Sequence, residues 1–310
     1  MAPPVTEGFA PFHVPGLEVP CKTWYKIHGT ISADTTPLIV LHGGPGFSHD
    51  YLIPVADLAE IYGIPVVFYD QLGNGHSTHL PDASSLPADA TPETFWTPEL
   101  FLDEMKNLLA HLRIDRYDLL GHSWGGMLAA LHGIDRAPGL RRIVFADALA
   151  DLDRWEASAN ELRARLPADV QVVLDRCERE GTTDSKEYEE ATITFYNSWV
   201  CRMDPWPECF MKAMENYMSE PGVYNTMLGP NEFTITGTLK GWSVESKLRH
   251  IGVPTLILNG RYDEAQDSVV APFYEYIPDA TWVSFRNSAH LPHCEERENW
   301  MHIVGRWLLA

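Results

Sequence analysis

YDLLGHSWGGMLAALHGI, residues 117–134, decides the fold. A short apolar segment, Tyr117–Gly121, runs through Gly121-His122-Ser123-Trp124-Gly125 into a stretch with apolar residues at helical spacing. Strand, G-x-S-x-G and helix in that order describe a nucleophile elbow. A serine on so sharp a turn needs small neighbours, which Gly121 and Gly125 supply. The turn lifts the hydroxyl above the sheet edge. The helix start behind it directs backbone N–H groups and a positive dipole end at a developing anion. G-x-S-x-G alone arises often by chance, so its placement carries the reading.

Working outward, the segments Pro37–His42 (PLIVLH), Pro65–Asp70 (PVVFYD), Arg142–Ala146 (RIVFA), Pro254–Asn259 (PTLILN) and Thr281–Phe285 (TWVSF) are apolar without interruption. Continuous rather than alternating patterns predict strands buried on both faces of a parallel sheet. Helical patterns lie between them. In Pro98–Leu112 the residues Phe101, Met105, Leu108, Leu109 and Leu112 form one stripe, with Thr97 as N-cap and Pro98 at the first helical position. Glu295–Leu309 predicts a closing helix, and Pro81–Pro92 reads as loop. The alternation breaks between residues 150 and 239, where the sequence is helical and rich in Trp and Tyr. Strands on both sides of that break predict an insertion into one sheet rather than a second domain. The expected organisation is α/β: an α/β-hydrolase fold with a mostly parallel sheet, a core of residues 1–149 and 240–310, and a helical cap over 150–239.

Composition narrows the function. A net charge of −20 repels phosphate backbones and anionic lipid head groups, which argues against nucleic-acid and membrane-surface partners. No apolar run approaches the roughly 18 residues of a membrane span. The N-terminus lacks the basic start and apolar run of a secretory signal. Five cysteines at irregular spacing form neither a disulfide framework nor a thiolate zinc site. These features predict a soluble cytoplasmic protein.

A serine hydroxyl needs a neighbouring imidazole to take its proton, and that imidazole needs a carboxylate to fix its tautomer. In this fold the acid and then the histidine follow the serine in the chain. Asp263 comes just after the strand PTLILNG, and His290 just after the last strand. Both belong at the sheet edge that carries Ser123. The competing acids are Asp147 and Asp267. The competing bases are His293, His42 and His122, the last two read as packing or supporting residues. His290-x-x-His293-Cys294 lacks the further ligands of a metal site. The glycine-rich loop Leu41–Gly46 (LHGGPG) offers an oxyanion hole: one N–H from Gly44, or else Gly43, and one from Trp124.

HGGPGFSHDYL (His42–Leu52), DQLGNGHS (Asp70–Ser77), GHSWGG (Gly121–Gly126), GPNEFTITGTLKGW (Gly229–Trp242), RYDEA (Arg261–Ala265) and SAHLPHCEE (Ser288–Glu296) together span most of the chain. In these segments the sequence closely resembles the prolyl iminopeptidases and related L-amino-acid amidases. The resemblance implies a helical cap and a serine aminopeptidase reaction on a small peptide or amino-acid amide, releasing proline or another apolar residue without metal or organic cofactor. It also implies that Glu232 and Glu264 bind the substrate's free amine, and that Tyr224 belongs to the substrate side of the cap. Leu72 and His76 stand where many members carry arginines, which leaves room for another acyl preference. The rival readings are a specialised esterase, lactonase or amide hydrolase of secondary metabolism on the same triad, and a non-catalytic receptor, whose usual mark is a broken triad. Epoxide hydrolase chemistry would need a carboxylate where Ser123 stands.

Overall fold

The computed structural model describes residues 2–80 and 85–310. Of the predicted loop at 81–92, residues 81–84 lie outside the described residues. The strands are β1 (Val5–Phe12), β2 (Cys21–His28), β3 (Leu38–Leu41), β4 (Val66–Tyr69), β5 (Tyr117–His122), β6 (Leu140–Ala146), β7 (Thr255–Gly260) and β8 (Ala280–Phe285). They form one eight-stranded sheet in the order β1-β2-β4-β3-β5-β6-β7-β8. All pairs from β4 to β8 are parallel, and β1 and β2 add antiparallel to the β4 edge.

The uninterrupted apolar runs have a simple cause. Ile39, Leu41, Val67, Leu119, Ile143 and Phe145 enter one core cluster, while Leu38, Val40, Val66, Phe68, Leu120 and Val144 enter another on the opposite face. Successive side chains of a strand point to opposite faces, so every position must be apolar when both faces are covered. Sequence reading missed the β1–β2 hairpin because its edge strand exposes alternate residues and never forms such a run. The predicted helix Pro98–Leu112 is present with its predicted cap, Thr97 Oγ1 accepting from the Leu100 N–H at 3.3 Å. The predicted closing helix is divided at Glu296 into Pro292–Glu295 and Arg297–Leu309.

Between β6 and β7 the chain forms only helices among its longer elements: Leu152–Arg163, Ala168–Glu180, Lys186–Trp199, Glu208–Ser219 and Gly222–Met227. The two ends of this insertion are held together. The Leu152 N–H donates to Trp242 O, the Val244 N–H donates to Ala150 O, each at 2.9 Å, and Asp151 bridges Ser243. No described helix is long and apolar enough to cross a membrane.

The chain moves from β3 outward to β4, then returns to place β5 on the other side of β3. The carboxyl ends of β3 and β5 therefore flank a topological switch point, where open α/β sheets open a crevice for ligands.

Candidate active site

The elbow is built at that crevice. Ser123 takes φ 53° and ψ −121°, a left-handed conformation rare for a side chain with a Cβ. It is held there by its N–H on Ala146 O (3.0 Å) and by its carbonyl, which accepts the Gly126 N–H (2.8 Å). A Cβ on Gly121 would run into Gly125 O, and one on Gly125 into Leu41 O. Only glycine lets strand, turn and helix close so tightly around the serine.

His290 Nδ1 lies 2.6 Å from Asp263 Oδ1, which also accepts the Ala265 N–H at 2.8 Å. The carboxylate can only accept, so Nδ1 carries the proton and Nε2 is left free to act as a base. Asp263 is wholly buried and Ser123 and His290 nearly so. Both line one cavity of about 40 Å³, together with Gly43, Gly44, Glu232 and Glu264. Among the described residues the Ser123 hydroxyl makes no hydrogen bond, neither to His290 Nε2 nor to any other group, and Ser123 and His290 meet only as neighbours on the wall of this cavity. Hydrogen bonds of catalytic groups commonly tighten only once substrate is bound.

The loop before His290 is set by two acids of the SAHLPHCEE segment. Glu295 accepts from the Ala289 N–H at 2.6 Å and the Arg202 N–H at 2.7 Å, and Glu296 from the Ser288 hydroxyl at 2.7 Å. The insertion grips the same region. The His290 N–H donates to Val200 O (3.0 Å) and the Glu264 N–H to Trp199 O (3.1 Å), both at the end of Lys186–Trp199.

The loop after β3 separates its two glycines. The Gly43 N–H donates to Tyr51 Oη at 2.7 Å, while no hydrogen bond is formed by the Gly44 N–H among the described residues. Tyr51 donates in turn to His122 Nδ1 (2.9 Å), and His122 Nε2 donates to His290 O (2.8 Å). Because a carbonyl only accepts, the proton of His122 sits on Nε2. Burial holds this ring neutral by pushing its pKa well below the usual value. Gln71 makes a second tie, accepting from Trp124 Nε1 (2.9 Å) and donating to His42 O (3.1 Å). Tyr51 and Gln71 carry no motif signal of their own, and sequence reading passed over both.

Glu264 is a buried carboxyl on the cavity wall and Glu232 a half-buried one. Glu264 Oε1 lies 3.8 Å from His290 Nε2, and Glu264 Oε2 is buried without a partner among the described residues. Burial pushes the Glu232 carboxyl up to about 7, opposed by the Tyr224 hydroxyl donating at 2.7 Å. Burial, then the charges of Glu232 and Asp263, push Glu264 well above the usual carboxylate range. Tyr224 itself is buried behind the wall and reaches the cavity through Glu232. Trp155 supports the same residue, its Nε1 donating to Glu232 O at 2.9 Å. Asp267 is turned away, accepting from Asn259 Nδ2 at 3.0 Å, and His293 is buried with Nε2 on Tyr51 O.

A serine elbow at the switch point of a mostly parallel sheet, with acid and histidine arriving from the next strands, defines an α/β hydrolase. The alpha/beta hydrolase fold family accordingly matches residues 36–297. Within that class the chain belongs to the proline iminopeptidase family of α/β hydrolases. It is 35% identical to the proline iminopeptidase of Heyndrickxia coagulans, over 88% of this chain and 90% of that one. The crystal structure of the Mycobacterium smegmatis proline iminopeptidase is 39% identical with a TM-score of 0.86, covering 98% of this chain and 97% of that one. The crystal structure of VinJ is similar at 44% identity and TM-score 0.92, covering 99% of both chains.

Proposed function

We propose that this chain is a serine aminopeptidase that releases an N-terminal amino acid, proline or another apolar residue, from small peptides or amino-acid amides through an acyl-enzyme. One observation carries the reading: two carboxyls, the half-buried Glu232 and the buried Glu264, share the cavity of Ser123 and His290, and no lysine or arginine lines it among the described residues. Two such groups repel and resist ionisation until a positive charge arrives. A substrate α-ammonium supplies that charge, and loses its own hydration only where acceptors replace it.

In this mechanism His290 Nε2 takes the Ser123 proton as the hydroxyl attacks the first carbonyl, and later gives it to the leaving amine. Asp263 holds the ring through Nδ1 and balances its charge. The Gly44 and Trp124 N–H groups receive the oxyanion. Water then attacks the acyl-enzyme with His290 again as base. The insertion over residues 150–239 serves as the lid, and the chain itself supplies every group the acyl transfer uses. Its five cysteines stand as free thiols, which suits a reducing, cytoplasmic compartment.

A second observation bears on the leaving group. A cavity of about 750 Å³ in the insertion is lined by Trp206, Met211, Tyr217 and Met218 and shares Tyr196 and Met214 with the site. That volume exceeds what one amino acid fills and favours a bulky apolar leaving group, as in a specialised amide or ester hydrolase on the same triad. The test is a panel of amino-acyl arylamides, each with a free and an acetylated amine, beside neutral aryl esters and leaving groups of increasing size. The reading predicts strong preference for the free amine. Equal turnover of acetylated substrates would defeat it.

A further inference from the structure

Behind Asp263 stands a second acid. Asp147 follows the last residue of β6 with φ 53°, and its N–H donates to Leu258 O at 2.8 Å. Its side chain is fully buried, and neither carboxyl oxygen has a hydrogen-bond partner among the described residues. Asp263 Oδ2 is buried and partnerless in the same way. Carboxyl oxygens of both residues and a ring nitrogen of His290 all lie within 4.8 Å of one another. The other groups facing Asp147 do not resolve this. His122 Nε2 is 3.7 Å from Oδ2, but its proton is committed to His290 O. Glu295 adds a further negative charge, and the Gly260 N–H offers some relief.

Two ionised carboxylates this close, buried beside one imidazole, repel each other and leave three oxygens, both of Asp147 and Oδ2 of Asp263, without a donor. One proton between them removes the repulsion and joins one Asp147 oxygen to Asp263 Oδ2. We propose that Asp147 is a positioning residue that keeps a proton through the working pH range and donates it in a hydrogen bond to Asp263 Oδ2. Burial first, then the Asp263 charge, push the Asp147 carboxyl in the direction this requires. Asp263 is then held on both oxygens, by His290 and Ala265 on one side and Asp147 on the other, and remains the one anion behind the imidazole.

The inference rests on the triad proposed above, and its test separates the two. On a neutral aryl ester, Asp147→Leu removes the donor and lowers kcat roughly 10- to 100-fold with little change in KM. Asp147→Asn places an N–H where the O–H stands and recovers most of that loss. The acidic limb of its pH–kcat/KM profile stays within about 0.3 unit of the wild type, because no charge has been removed beside His290. The infrared spectrum of the wild type minus that of Asp147→Asn shows the carbonyl band of a protonated carboxyl. A downward shift of that limb by about a unit or more, or no such band, overturns the assignment. The Asn variant decides the matter even where the Leu variant fails to fold. Retained turnover in Ser123→Ala sinks the triad itself, whereas a failed Asn test with Ser123 still essential sinks only the shared proton.

Discussion

Replacing Glu232 by Gln removes one of the two negative charges proposed to face the substrate amine and little else. The Tyr224 hydroxyl that donates to Glu232 Oε1 at 2.7 Å finds the Gln carbonyl in its place, so the wall keeps its shape. Breaking one partner of a buried, hydrogen-bonded charge pair costs about 2–5 kcal/mol. Glu264 remains on the same cavity, so the lower part of that range applies. A loss of about 2–3 kcal/mol corresponds to roughly a 30- to 150-fold fall in kcat/KM for a free-amine arylamide. A neutral aryl ester makes no use of the charge and should fall by less than about threefold. The pH dependence adds a second reading from the same assay. The Glu232 carboxyl lies at about 7, raised by burial, so the wild type's preference for free amine should weaken as pH drops from 8 to 6 and the group takes its proton. The variant should lose that dependence. Equal losses on amide and ester, or an undiminished free-amine preference in the variant, would refute the reasoning.

Three further outcomes follow from the structure. Ser123→Ala should abolish turnover, by up to about a million-fold as for other serine hydrolases, and should end labelling by a fluorophosphonate probe. Gly125→Ala should cost at least about 3 kcal/mol in urea unfolding, because its Cβ meets the Leu41 carbonyl and neither backbone can yield. Glu104 should make the protein lose stability towards alkali. Burial raises its carboxyl from 4.5 to about 8, against the Thr23 hydroxyl and the Leu72 N–H that it accepts. The folded state thus keeps a proton the unfolded chain releases, so the contribution of Glu104 is full below pH about 4.5 and is lost as pH rises to about 8, by up to about 5 kcal/mol. Glu104→Gln should flatten that slope in denaturation curves at pH 5 and 9, with the Thr23 hydroxyl turning to accept from the new amide. An unchanged slope would show that Glu104 is ionised in the folded protein.

The parts of the fold legible in the sequence are those where burial admits one kind of residue. Strands β3, β4, β5 and β7 are buried at every position, so their apolar runs are continuous, and the edge strand β8 is read from its aromatic and β-branched residues although much of it is exposed. The β1–β2 hairpin shows water one face and lacks that signature. The site divides along the same line. Ser123, Asp263 and His290 are marked by motif or by position after a strand, and the glycines of the elbow by the space they leave. Tyr51, Gln71 and Glu295 act through partners 71, 53 and 6 residues away in the chain, respectively. A hydrogen bond across such spans leaves no pattern along the sequence, and an isolated tyrosine or glutamine has many other reasons to be where it is. The break at Glu296 was hidden for a related cause: its carboxylate is recruited by Ser288, which no helical periodicity reports.

The two main-chain bonds from Glu264 and His290 to the end of Lys186–Trp199 bear on how such enzymes diversify. The insertion is part of the scaffolding that sets the histidine, so exchanging it between relatives would transplant an alignment as well as a pocket. Chimeras joined at the neck near Ala150 and Val244 should work only when the borrowed segment presents its carbonyls in the same place, and divergence of specificity is freer in the helices beyond residue 202, which among the described residues make no main-chain bond to Glu264 or His290.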